Sequence, residues 1–188
     1  MPRLMGRLLL LIGVTAFGTI ASAETTNPPP SKAFAAYGTF ELRPVELDKA
    51  DAGQKGKDQA GAKLQEQVNA LVAPIVDDWN KKPPVDGAPQ LVIEPRIDSI
   101  KKVGGATRFW VGAFAGDSHV TMHVRFVEQP GDIVIAEPEF FQRAAAMSGA
   151  WTVGAQDNDM LHRVAQLIAD YMRANYDSAV GGRTGRTE

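Results

Sequence analysis

From His119 to Phe126 the chain alternates without a break. Val120, Met122, Val124 and Phe126 fall on one side; His119, Thr121, His123 and Arg125 fall on the other. Side chains on a strand have a period of two, so this stretch is a strand with one buried face and one wetter face. It closes a longer piece, Gly104–Glu128. That piece opens on Gly104-Gly105, passes through Arg108, Phe109 and Trp110, and crosses a second glycine-punctuated turn, Gly112-Ala-Phe-Ala-Gly116.

The other elements arrange themselves around this strand. Ala33–Leu47 reads as a first strand centred on Tyr37–Leu42, with Pro44 ending it or confining it to an edge. Asp48–Gly61 is charged and glycine-spaced, a loop without a period. From Ala62 to Asn80, Leu64, Val68, Leu71, Val72, Ile75, Val76 and Trp79 recur at three- and four-residue steps, which makes a helix with one apolar stripe. Pro74 lacks an N–H and predicts a kink near Val72–Ala73. Gln90–Val103 is a second strand, with Leu91, Ile93 and Ile97 on one face and Glu94, Arg96 and Asp98 on the other. Gln129–Asp132 is a hairpin turn, in which Gly131 can take positive φ. A fourth strand follows over Asp132–Ala144, with Pro138 marking an edge or a bulge. A last helix, capped by Asp157 or Asn158, runs from Asp159 to about Tyr176 on Met160, Val164, Leu167, Ile168, Tyr171 and Met172. The order β-α-β-β-β-α predicts an α+β fold: a two-layer sandwich of about four mainly antiparallel strands, with two helices on one face. The strand-helix-strand unit at its start predicts a parallel crossover.

The ends carry an address. Arg3 and Arg7 precede 13 uncharged residues, Leu8–Ile20, and then Ala21-Ser22-Ala23. A positive start, a short apolar run and small residues at a cleavage site form a secretory signal. The run is short of the ~20 apolar residues that a membrane span requires. Residues 1–23 therefore read as a signal peptide cleaved after Ala23, 24–32 as a flexible proline-rich leader, 33–177 as a single α+β domain and 178–188 as a disordered tail. Without Arg3 and Arg7, the 20 basic residues fall to 18 against 22 acidic ones, which points away from nucleic acid. The chain has no cysteine, so it has no disulfide, thiolate metal site, cysteine nucleophile or lipid-accepting cysteine. Export without disulfides suits a bacterial periplasm.

About half of the chain resembles a bacterial family, the domain of unknown function 4410, usually seen in exported lipoproteins. The resemblance lies in Arg108, the loop Gly112–Gly116, the strand His119–Glu128, Pro130-Gly131, Ile133–Ala144, Met147–Gly154 and the helix Asp159–Tyr176. Two departures stand out: Phe114 replaces the central glycine of the loop, and the lipobox cysteine is missing. The resemblance implies an envelope protein of α+β fold with no established catalytic residues.

The polar side of the central strand is the main candidate site. An odd hairpin loop places Val120, Met122, Val124 and Phe126 against Val134, Ala136 and Phe140, and sets Glu137 and Glu139 beside His123 and Arg125. An even loop would press the glutamates against Val124 and Met122, which burial disfavours. His119, His123, Arg125, Glu137 and Glu139 thus form a candidate binding patch, and an ordinary solvated face of cross-strand charge pairs is the plainer reading. His119 and His123 lie about 13 Å apart along the strand, too far to share one metal ion directly. Glycines 104, 105, 112 and 116 lead into a strand, whereas a phosphate cradle leads into a helix. Arg108, Trp110, Gly112, Phe114, Gly116 and Trp151 are candidate loop contacts. No metal and no cofactor are expected. The leading expectation is a non-enzymatic periplasmic binding or adaptor domain that meets an envelope protein. The rival is a small ligand- or metal-binding protein, or a hydrolase, using His123, Arg125, Glu137 and Glu139.

Overall fold

The computed structural model describes residues 24–48, 53, 55–83, 86–101, 118–143 and 153–187. The fold is α+β. β1 (Glu24–Asn27) opens it, followed by a short 3-10 turn, Phe34–Ala36, and by β2 (Thr39–Leu42) and β3 (Glu46–Leu47). Helices α1 (Lys55–Leu71) and α2 (Ala73–Asn80) come next, then β4 (Gln90–Lys101), β5 (His119–Gln129), β6 (Ile133–Ala136) and β7 (Glu139–Arg143). Helix α3 (Val153–Ala174) and β8 (Gly182–Thr187) complete the chain. The main sheet has six strands rather than about four, because prolines divide two of the expected ones. β2 and β3 both run parallel to β4, while β5 is antiparallel to β4, β6 and β7.

Pro44 splits the first expected strand, and Pro95 explains why β4 tolerates the gap. The Arg43 N–H donates to the Ile93 carbonyl at 2.9 Å, and the Asp48 N–H to the Ile97 carbonyl at 3.0 Å. Alternate residues of a strand aim their backbone groups to the same edge, so the nitrogen of Pro95 faces this side too. It falls where the chain steps from β2 to β3, and no ladder bond is lost. Pro74 acts on the helix in the same way. The expected interruption falls at Val72, between α1 and α2, with the proline in the first turn of α2 and Val72 still helical. α1 also begins at Lys55, inside the stretch expected to be a loop. There Ala60 is buried and Gly61 lies against Leu47.

The apolar rhythms meet in one core. Val120, Met122, Val124 and Phe126 are fully buried, as are Leu91, Ile93 and Ile97 from β4. Leu64 and Val68 from α1 and Val72 from the junction with α2 cover them, with Val164, Ile168, Tyr171 and Met172 from α3. Phe34 stacks on Phe126 with ring centroids 4.8 Å apart, and Trp79 lies between Phe40 and Tyr176 at 4.9 and 4.6 Å. α3 starts at Val153, so Asp157 and Asn158 lie within the helix and do not cap it.

The hairpin register is subtler than expected. Glu128 pairs with Ile133 and Val127 with Val134, so the turn itself is even. The register then shifts, and Phe126 pairs with Ala136 and Met122 with Phe140. Ile135 is the extra residue. Val134, expected in the core, is therefore on the outer face and 43% exposed, while Ile135 is buried. The bulge restores the parity that keeps Phe140 inside and Glu139 outside.

The largest correction concerns the two ends. The leader and the tail, expected to be flexible and disordered, pair as β1 and β8 in a second, antiparallel sheet. Buried Asn175 organises the return: its Oδ1 accepts from the N–H groups of Val180 and Gly181, and its Nδ2 donates to the Tyr171 and Gly181 carbonyls. The Tyr171 hydroxyl, its pKa pushed up to about 12 by burial, donates to the Pro28 carbonyl. Glycines of the tail are close-approach positions. A Cβ on Gly185, at φ +81°, would meet the Phe141 carbonyl oxygen at 2.3 Å. The leader is tied again at Glu128, whose Oε2 accepts from Lys32 Nζ at 2.6 Å and from the Tyr37 hydroxyl at 2.9 Å.

Gly185→Ala is expected to cost about 2–4 kcal/mol, from a strained backbone and a collision with the sheet, measured by urea denaturation. The Lys32 ammonium, and secondarily the Tyr37 hydroxyl, hold the Glu128 carboxyl below its usual range. A carboxyl lowered on folding contributes stability above its unfolded pKa, and that stability is lost as pH falls through the folded value. Glu128→Gln should therefore lower Tm at neutral pH and converge with the parent protein in acid; parallel Tm curves at all pH values would exclude this tie.

Candidate binding face

The outer face of the sheet, opposite the helices, is built rung by rung. Arg96 of β4 pairs with His123 of β5, which pairs with Glu139 of β7. One rung along, Glu94 lies opposite Arg125, and the guanidinium donates to the Glu94 carboxylate at 2.8 Å. Next come Glu41, Val92, Val127 and Val134, one from each of four strands. Val92 and Val127 are almost fully buried between the longer side chains around them.

A bulge in β4 places the decisive acid. Ile97 and Ile100 both face the core although they are three residues apart, which plain alternation forbids. The register skips between Ile97 and Ser99, and Asp98 is the extra residue. It stands on the outer face, where Oδ2 contacts Nδ1 of His123 and Oδ1 accepts from Arg96 Nε at 3.1 Å. On the other side of the imidazole, Nε2 lies 4.0 Å from Glu139 Oε2. Glu139 Oε1 accepts from Arg186 Nε at 2.5 Å, and that guanidinium lies over the Phe141 ring, 4.2 Å from its centroid. The imidazole thus stands between two acid–guanidinium pairs, Asp98 with Arg96 and Glu139 with Arg186. Arg96, Asp98, Thr121, His123, Glu137 and Glu139 line a shallow, open depression of about 550 Å³.

The structure brings together part of the expected patch. His123 and Glu139 share a rung, and exposed Glu137 borders the same depression from the break between β6 and β7. Arg125 turns the other way, to Glu94, and does not line it. His119 is two rungs off, opposite Arg143, with its ring 6.0 Å from that of Phe141. Arg108, Trp110, Gly112, Phe114, Gly116 and Trp151 lie outside the described residues. β4 ends at Lys101, β5 begins at His119 and β7 ends at Arg143, all on one rung. Sequence reasoning missed Asp98 as a partner of His123, although two isoleucines three apart in a strand are the signature of a bulge. It could not have found Arg186, which arrives with the tail. Among the described residues, no group of three or more His, Asp or Glu side chains is placed to hold a metal ion. Among the same residues, no helix is long and apolar enough to cross a membrane.

No family model and no curated protein matches the sequence, so membership of the domain of unknown function 4410 is not shown. Solved structures match it at low similarity. Protein XCC0632 from Xanthomonas campestris, assigned to DUF330, is 10% identical with a TM-score of 0.47, over 83% of this chain and 94% of that one. The PelC dodecamer from Paraburkholderia phytofirmans is 10% identical with a TM-score of 0.38, over 77% and 94%. A putative lipoprotein from Caulobacter crescentus is 16% identical with a TM-score of 0.31, over 76% and 86%. At these values a neighbour's role does not transfer.

With Asp98 against Nδ1, neutral His123 should carry its proton on Nδ1. Long-range proton–nitrogen NMR at about pH 8 reads this directly. The expected Nδ1–H form should give way toward Nε2–H in Asp98→Ala; an Nε2–H parent would exclude the contact.

Proposed function

We propose that this chain is an exported cell-envelope adaptor that acts by recognition, meeting a partner protein through the outer face of its sheet. The observation that carries this reading is the make-up of that face. The helices pack on one side only, and over the other no described element lies. There Val134, exposed at the end of a row whose other members, Val92 and Val127, are buried, stands on a face that carries paired charges, Glu94 with Arg125 and Arg96 with Asp98. An exposed apolar residue among charged ones suits a protein contact. Exposed ion pairs of this kind add little to stability, typically 0–1 kcal/mol each, so folding alone gives weak reason for the array. The secretory pattern at the N-terminus supports an envelope address, with the periplasm as the site of action. In this proposal the glycine-rich segments around Arg108–Gly116 and Trp151 extend the contact from the Lys101–His119–Arg143 rung.

The rival, a hydrolase, needs a nucleophile against the imidazole. His123 is instead flanked by carboxylates at both nitrogens. The depression favours the milder form of that rival, small-ligand binding.

Photo-crosslinking residues placed at Glu41 and Val134 should capture a discrete partner in living cells, whereas Asp170 on α3 should not. Equal capture from both faces, or none from the sheet, would overturn the proposal.

A further inference from the structure

We infer that the depression beside His123 seats a primary ammonium group, from a lysine side chain of a partner or from a free aliphatic amine. The inference deepens the reading of the outer face as a recognition surface and rests on it for the biological source of the amine.

Thr121 makes the first argument. It lines the depression and is only 9% exposed, yet its hydroxyl meets no hydrogen-bond partner among the described residues. Buried polar groups in folded proteins are nearly always satisfied, so a hydroxyl in this position is suited to a ligand. The groups around it supply the second argument, because acceptors predominate among their free valences. Glu137 has no charge partner among the described residues. Glu139 commits Oε1 to Arg186 and keeps Oε2 toward the imidazole. In neutral His123 with Nδ1–H given to Asp98, Nε2 carries a lone pair. The one cation of the lining, Arg96, is engaged by Asp98.

An ammonium brings one positive charge and three N–H donors, with no acceptor. That complements a hydroxyl oxygen, two carboxylates and an imidazole nitrogen. An anion would meet three carboxylates. An apolar group would leave Thr121 and Glu137 without partners. A bare metal ion is disfavoured, because no three ligating side chains are suitably placed among the described residues.

The test is an NMR titration of the isotope-labelled protein with Nα-acetyl-L-lysine methylamide, with butylammonium, and with the ε-trimethylated lysine derivative, which keeps the charge but has no N–H donor. Saturable shifts at Thr121, His123 and Glu139 are expected, with Kd on the order of 1–10 mM for the first two ligands and about tenfold weaker binding for the third. Glu137→Gln and Thr121→Val should each weaken binding about threefold or more, with thermal stability retained. Lysine derivative much tighter than butylammonium points to a protein source; equal binding points to a free amine. No saturable shift, or equal binding of the trimethylated form, overturns the inference. Crosslinks from Glu41 and Val134 that persist without ammonium binding leave the adaptor reading standing, and binding without crosslinks leaves the ammonium site standing.

Discussion

Two hydrogen bonds join the ends of this chain to its middle. The Asn27 side chain donates to the Glu139 carbonyl at 2.7 Å and accepts from the Glu139 N–H at 2.9 Å. A side-chain amide thereby stands where a further strand would be, and the edge N–H and carbonyl of Glu139 are satisfied without one. The Ser31 N–H continues the seal by donating to the Ile135 carbonyl. At the opposite edge, Asn80 closes Phe40 of β2 in the same manner, donating to its carbonyl at 2.9 Å and accepting from its N–H at 2.8 Å. Because Asn27 lies in β1 and β1 pairs with β8, the leader, the tail and the position of Glu139 depend on one another.

The same dependence reaches the polar face. Arg186 arrives through β8 and takes one oxygen of Glu139, leaving the other toward His123. On the far side of the imidazole, the bulge in β4 supplies Asp98. Alternation from Ile97 already sets Asp98 on the outer face, but a regular strand would turn Ile100 outward as well. Burying Ile100 is favourable by about 1.5–3 kcal/mol, and the bulge at Asp98 brings it into the core. The bulge at Ile135 works alike, since it keeps Phe140 inside and releases Glu139 outward.

Much of the fold was legible because burial imposes periodicity. The alternation of β5, the stripes of α1 and α3 and the parallel crossover needed only apolar spacing and the usual handedness of chain connections. Of the site, His123 and Glu139 could be paired from the hairpin, because one residue of slip would have buried glutamates. Arg125 could not be placed, since both neighbouring strands offer it a carboxylate, and only the structure chooses Glu94. Val134 was misplaced because a turn of even length and a bulge cancel, and the sequence pattern carries only their sum.

The sequence by itself determined which residues must leave water, and hence the strands, the helices, the layer order and the polar side of β5. Tertiary structure decided the fate of the ends. A leader of three prolines and a tail of glycine, arginine and threonine have no apolar period to betray them. They are ordered by buried Asn175, by Asn27 on a sheet edge and by glycines that fit where a Cβ would collide. The contacts of Asn27 join residues more than a hundred positions apart, and those of Asn175, though close in the chain, run through a polar side chain, so apolar patterning holds no record of either.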